Sequence, residues 1–517
     1  EDFSLKANPM EGDQQSIFGK LNIELPNESK LTLVADLQEW ESKWAINSEK
    51  GFIYFPTPRS ISSSSGDDEG TRERFSISLN LSNKNALYDS AEVNYYTQET
   101  EQSQITVQNQ VSFFGGMQAP PTPTMRIRDF DFNQSIDGFS FEAYKSAGDY
   151  QMIYGLDIQD TETERPRMLT EMNLITGMAT NVVDGETYPN KTFPDSETKR
   201  KALFFNNRFG LSDSSVLTLG FRYDDYELNT SPDLLLSNAN ILNYQISNTE
   251  DSAFTFKLGY LQDLSENLTG FVQYAEGFKA PDYETSNTVF TNYLLFYTVT
   301  PNPNLGSEES DTIEVGLRGS GEDDSWELAI YRSEVEGFIH PEAVGFSRGL
   351  GIYQYQNAEN VEIQGIEFDY ERSLTEQLSF NLAAAISSGD LFEDNEKHSL
   401  PEIDPRELIL GFNWIPSDKF SLQAMFTLSS KSEDNLEEVC LNNDCWPRVQ
   451  TSGYSLLDLF ASYIPNENLE FRVAVENVTD KKYLRWASVS ELPENDKELD
   501  LYGQNGRSIS ASFKYIF

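Results

Sequence analysis

Arg507-Ser-Ile-Ser-Ala-Ser-Phe-Lys-Tyr-Ile-Phe517 closes the chain, and its alternation decides how the rest is read. Ile509, Ala511, Phe513, Tyr515 and Phe517 fall on one face; Ser508, Ser510, Ser512 and Lys514 fall on the other. Successive side chains of a strand point to opposite sides, so this is a strand with one apolar and one wet surface. The pattern recurs upstream. Ile313, Val315 and Leu317 oppose Glu314 and Arg318, and Trp326, Leu328 and Ile330 oppose Glu327. Phe420, Leu422, Ala424, Phe426 and Leu428 oppose Ser421, Gln423 and Thr427. Leu469, Phe471, Val473 and Val475 oppose Glu470, Arg472 and Glu476. Charge on the second face is too costly to meet lipid, so it must line water or another part of the protein.

Between such strands the connections sort by length. Short turns rich in Ser, Asn, Asp, Gly or Pro fall at Pro26–Ser29, Ser82–Asn85, Ser146–Asp149, Ser212–Ser215, Ser265–Asn267, Ser320–Ser325, Thr375–Gln377, Pro416–Lys419 and Pro465–Asn468. Long polar stretches lie between them, at 43–71, 98–136, 159–202, 229–251, 279–307, 338–355, 389–404, 431–452 and 487–505. Short turns at one end and long loops at the other is the asymmetry of an outer-membrane β-barrel, and it would put Phe517 at the periplasmic end. About nineteen strands are legible. The first clear one, 17–25, runs into a short turn, so residues 1–8 or a segment before Glu1 should supply its partner. A further pair is expected inside 98–136. The total is then about 22, a size at which the lumen is plugged. The apolar phase slips at Gly365 within Val361–Tyr370, which reads as a bulge. Ser60–Asp67 and Pro120–Thr124 read as low-complexity loop tips.

Composition narrows the function classes. The chain has 517 residues, with Lys+Arg 38 against Asp+Glu 84 and a net charge of −46. That balance argues against a nucleic-acid partner, whose phosphates need basic side chains. Hydrophobic residues make up 38%, and no run approaches the roughly 20 apolar residues of a membrane helix. An array of soluble β-sandwiches fits the composition as well as a barrel does; the sorted loops favour the barrel. Aromatics reach 13%, enough for girdles at both membrane interfaces. Cys440 and Cys445 flank Asn442-Asn-Asp444, and a disulfide across that turn fits an oxidising compartment. No second Cys/His pair accompanies them, so a metal site is not expected. No leader opens the chain at Glu1, so a mature fragment or excised domain is expected. No Ser/His/Asp order, phosphate-binding loop or paired catalytic carboxylate stands out, so no enzyme is expected.

Seven segments in order carry a family resemblance: Gly220-Phe-Arg-Tyr-Asp224, Tyr274-Ala-Glu-Gly-Phe-Lys-Ala-Pro281, Asn302-Pro-Asn-Leu305, Ile313-Glu-Val-Gly-Leu-Arg318, Gly365-Ile-Glu367, Glu476-Asn-Val-Thr-Asp-Lys-Lys-Tyr483 and Tyr483-Leu-Arg-Trp486 with Gly506-Arg507. Together they resemble the TonB-dependent outer-membrane receptors, and the last segment resembles the haem/haemoglobin branch. The resemblance covers the whole chain as one barrel domain, 1–517. It implies a multi-pass barrel in the bacterial outer membrane, contacting lipid and lipopolysaccharide. It also implies an N-terminal plug outside this sequence, and import of haem, including from haemoglobin, driven by the TonB–ExbB–ExbD complex. Alternatives that share the fold are a ferric-siderophore or cobalamin receptor. A passive porin and a secreted all-β enzyme or adhesin are the rivals from other classes.

The boxes at Phe278–Pro281 and Asn302–Leu305 bracket an exposed loop, 282–301. The branch usually carries a His there, whereas this loop has Tyr283, Tyr293 and Tyr297. A Tyr oxygen also ligates haem iron. The chain's two histidines are His340 and His398, in other long loops; apolar neighbours in Gly337-Phe-Ile-His-Pro341 favour a neutral imidazole at His340. The candidate ligand-contacting residues are therefore Phe278, Pro281, Tyr283, Tyr293, Tyr297, Asn302, Asn304 and His340. Specificity is expected in 282–301, 338–355 and 431–452.

Overall fold

Alternating segments of this kind have no inner core to bury; they pair edge to edge, and the computed structural model is one antiparallel meander. It describes residues 8–516 except 294, 394–395, 433–437, 442–443 and 497. Phe517, most of segment 1–8 and the Asn442–Asn443 turn therefore lie outside the described residues. The principal sheet holds 24 strands, against the roughly 22 expected. Most are long hairpin strands, and the remainder are short ladder pieces such as Gly51–Ile53 and Ala179–Thr180. Each long strand pairs with the next long one, from Met10–Glu24 against Lys30–Ala45 to Leu469–Glu476 against Ser508–Tyr515. Among the described residues those two outermost strands pair along one side only. No described helix is long and apolar enough to cross a membrane. The fold is a large all-β barrel wall.

Every short turn read from the sequence joins two long strands at one end of this wall. The alternation holds in space. Ile313, Val315, Ile330, Phe75, Ile77, Phe471 and Phe513 stand exposed on the outer face, where only lipid makes their exposure stable. The opposite face carries pairs such as Arg222 with Asp157 and Asp224.

Three expectations fail for one physical reason. Segments 43–71 and 98–136 are not mainly loops, and 98–136 hides no extra pair. Arg59–Leu81, Ser90–Ser112 and Thr122–Ala147 are strands of 23, 23 and 26 residues, and they take in Ser60–Asp67 and most of Pro120–Thr124. About 9–11 residues cross a bilayer, so these strands rise well above it. There the outer face meets water and changes chemistry without changing register: Asp67, Glu69, Thr71 and Glu73 continue the outward row of Phe75 and Ile77.

Gly365 makes the same point. Asn360–Thr375 pairs with Asp324–Glu336 without a register shift there, so there is no bulge. Ile366 and Ile330 face outward in the lipid band. One step higher the outward positions hold Arg332, Glu334 and Glu362 in an ion-paired cluster at 2.6 and 2.9 Å, and Val361 turns inward. The slip in apolar phase marks the membrane boundary. Gly365 itself leaves room for the Tyr331 ring, whose Cζ would lie 2.6 Å from an added Cβ.

Candidate functional site

The long connections meet at the end opposite the short turns. Loop 282–301 begins where Leu268–Lys279 leaves the wall. Asp282 caps the short helix Tyr283–Asn287 through a reciprocal pair of hydrogen bonds with Thr285. Pro281 is fully buried, and its carbonyl accepts from the Tyr226 hydroxyl at 2.9 Å. Asn287 bonds both ways with the Ser247 backbone at 3.0 Å, and the Val289 amide donates to the Thr192 carbonyl. Beyond the helix, Phe290–Asn292 and Tyr297–Thr300 join Ile339–Ser347 and Leu350–Asn357 in one four-stranded sheet. Loops 282–301 and 338–355 are therefore one body.

That arrangement separates the candidate residues. Asn302 donates from Nδ2 to the Tyr355 carbonyl at 2.8 Å and accepts at Oδ1 from the Asn304 amide at 3.0 Å. Both asparagines and Pro281 brace the loop. Phe278 lines an inward cavity of about 640 Å³ with Arg200, Arg222 and Lys279. Tyr283 packs on Phe193 with ring centroids 4.8 Å apart. Burial, then the nearby Glu284 and Asp282 charges, pushes its phenol up. Tyr297 lies edge-on to Tyr353. His340 stacks on Phe338, and its Nε2 lies 2.6 Å from Glu393 Oε1, away from the tyrosines. His398 pairs in backbone register with Leu391.

Tyr293 is placed differently. It lines a cavity of about 500 Å³ at the mouth, built from four loops: Pro56 and Thr57, Phe114, Val182 to Gly185, and Tyr293 itself. Phe114 and Val182 are exposed there, and Phe55 stacks on Phe296 beside it at 4.9 Å. Burial, then the charge of Glu186, raises the Tyr293 phenol above its ordinary value. The base of this cavity is ionic and buried. Arg126 donates from Nε and Nη2 to Glu171 Oε2 at 3.1 and 2.7 Å, and from Nη1 to Asp184 at 2.7 Å. Arg59 meets Asp184 at 3.2 Å. Gln110 and Ser112 also donate to Glu171. Beside them Glu49 takes Ser64 at 2.5 Å, Gln108 at 2.6 Å and Arg128 at 2.9 Å.

Sequence reasoning missed this network because its strands were read as loops. Two signals were available. Thr124-Met-Arg-Ile-Arg128 alternates apolar with basic residues in a chain poor in basic residues. Val182-Val-Asp-Gly-Glu-Thr187 is an Asp-Gly hairpin flanked by β-branched residues.

The third loop expected to carry specificity lies elsewhere. In 431–452 the described residues bind 487–505, through the Val449 amide to the Leu492 carbonyl and Arg448 to the Ser490 carbonyl. Cys445 is disulfide-bonded, and the backbone sets it opposite Cys440. Below it a cavity of about 710 Å³ is lined by Asp404, Glu407, Asp458, Glu476 and Arg485. Trp486 closes one side, its Nε1 donating to the Pro401 carbonyl at 2.7 Å. Among the described residues, no group of His, Cys, Asp and Glu is arranged to hold a metal ion.

A wall of this size, apolar outside, ionic inside and crowned by knitted loops, is that of an outer-membrane β-barrel. Residues 19–478 match the family described as TonB dependent receptor-like, beta-barrel, and the chain belongs to it. Haemoglobin-haptoglobin utilization protein B of Neisseria meningitidis serogroup A is 25% identical over 335 residues, 58% of this chain and 41% of that protein. The ferric enterobactin receptor PirA of Pseudomonas aeruginosa is 28% identical over 317 residues, 56% of this chain and 38% of that protein. The chain thus spans well under half the length of these curated relatives. Among solved structures, the copper transporter OprC superposes with a TM-score of 0.64 at 14% identity, over 99% of this chain and 82% of that one.

Proposed function

We propose that this barrel, 1–517, is the transport half of a TonB-dependent receptor that imports haem, including haem drawn from haemoglobin. A plug domain would occlude the lumen, and the TonB–ExbB–ExbD complex would supply the energy by acting on that plug. The observation that carries the cargo is the mouth cavity. Its rim is apolar and aromatic, as a flat hydrophobic ligand requires, and Tyr293 brings a phenolic oxygen of the kind that ligates haem iron. The similarity to a haemoglobin-haptoglobin utilization protein and the Tyr483–Trp486 segment support the same reading. A ferric-siderophore cargo is the second reading, favoured by the similarity to PirA and by Arg126 at the cavity base.

Growth separates the two. Iron-starved cells lacking the gene for the full-length receptor should fail on haem as sole iron source and still grow on ferric siderophores. Loss of siderophore use with haem use intact would overturn the haem reading.

A further inference from the structure

Arg126 at the base of the mouth cavity and Arg59 behind Asp184 share that one carboxylate. Arg59 and Arg126 are 4% and 2% exposed, on strands separated by Ser90–Ser112. Two buried like charges persist only with carboxylates against them. One is Glu171, itself buried in the wall and forked onto Arg126. The other, Asp184, comes from outside the wall, at the tip of a hairpin whose ladder is only Val182–Val183 against Glu186–Thr187. Asp184 and Gly185 sit at φ 52° and 93°, the left-handed pair of a two-residue turn.

Asp184 is the open member of the set. Its side chain is 19% exposed, against 5% and 3% for the arginine side chains it covers. Arg59 meets no other carboxylate at ion-pair distance among the described residues, and its Nε has no hydrogen-bond partner there. The arginine pair is thus a preformed carboxylate site, occupied by the tip residue of a hairpin whose base is anchored by Val183 and Tyr188 against Leu169.

We propose that Asp184 stands in for a ligand carboxylate, so that movement of the Asp184–Gly185 turn hands Arg59 and Arg126 to a propionate group of the bound tetrapyrrole. The proposal rests on the haem reading for the source of that carboxylate. The exchange replaces one carboxylate by another, so no buried charge is left uncompensated at its end. Phe114, Val182 and Tyr293 then flank the flat face of the ligand while the guanidiniums fix its acidic edge. A neutral or cationic ligand of the same shape cannot make the exchange, which gives the site selectivity.

The test uses the full-length receptor in detergent and iron-free mesoporphyrin, as the dicarboxylic acid and as its dimethyl ester, followed by porphyrin fluorescence. The diacid should bind wild type about tenfold more tightly than the diester. Asp184→Ala should tighten the diacid by about fivefold and leave the diester unchanged. Arg59→Gln in that background should cancel the gain, and Arg59→Lys should keep part of it. Arg59 is the position to vary because Arg126 also holds Glu171 and its loss endangers folding. Equal binding of diacid and diester in every variant would overturn the exchange and leave tetrapyrrole uptake standing. Weakening of both ligands alike by Asp184→Ala would reduce Asp184 to a hairpin brace and also overturn it. No binding of either porphyrin to any variant would remove both readings.

Discussion

The wall from Arg59 to Ala147 and the wall from Glu407 to Tyr515 share one alternating pattern and differ in height. The first has strands of 23, 23 and 26 residues. The second includes strands of 11, 10, 8 and 8. A strand of the second kind does little more than cross the bilayer. A strand of the first kind has a dozen or so residues to spare, and the spare length becomes a rigid buttress above the membrane. On it stand Arg59, Arg126, Arg128, Gln108 and Gln110, packed against Glu49, Glu171 and Asp184. The low wall carries ion pairs too, but wet ones: Arg472 on Glu470 has a side chain 66% exposed. Its large cavity is ringed by carboxylates, an unfavourable seat for an acidic ligand. The difference teaches that the buried ionic network of the mouth is built where strands outgrow the membrane.

The largest expected effect tests the buttress. Arg126→Met strips a buried carboxylate of its partner and should cost about 3–5 kcal/mol, whereas Arg472→Met should stay within about 1 kcal/mol. Protease cleavage in 174–194 and thermal melting in detergent would read both. Equal losses would erase the distinction between the walls.

Ligand affinity sharpens the comparison next. Tyr293→Phe should weaken haem binding by roughly 100-fold, while Tyr483→Phe, on the low wall, should leave it unchanged. Isothermal titration of the two variants decides which wall holds the cargo.

Acidity gives the third effect. Burial and Glu186 keep the Tyr293 phenol protonated at neutral pH, so ligation of ferric haem as phenolate must release that proton. Affinity should therefore rise with pH, by about tenfold per unit between pH 6 and 9. A flat profile would exclude the phenolate.

The smallest effect tests the membrane boundary. Gly365→Ala should cost about 1 kcal/mol by displacing the Tyr331 ring. Tyr331→Ala in the same chain should recover most of it. A true bulge at Gly365 would tolerate alanine without that dependence on Tyr331.

Much of the barrel was legible because lipid imposes one rule on every strand that meets it. Segments such as Ile313–Leu317 and Ile509–Tyr515 alternate cleanly, and Ser or Asn marks eight of the nine short turns. Above the membrane the rule lapses, so Arg59–Gly66 and Thr122–Arg128 read as loop although they are strand. The boxes at Phe278–Pro281 and Asn302–Leu305 were legible as loop brackets, and Pro281 and Asn302 are the bonds that hold the loop. Of the candidate tyrosines, sequence had no means of separating Tyr293, which lines the mouth, from Tyr283 and Tyr297, which pack on Phe193 and Tyr353. Their positions depend on contacts with residues far away in the chain. The Asp184 contacts span 125 and 58 positions, beyond the reach of any local pattern.

A spectral titration of ferric haem into the full-length receptor tests the central claim most directly. Wild type should give a saturable shift of the haem absorption band with a phenolate-type spectrum, and Tyr293→Phe should lose that spectrum while remaining folded. The same spectrum in Tyr293→Phe, or no shift in wild type alongside tight binding of a ferric siderophore, would contradict it.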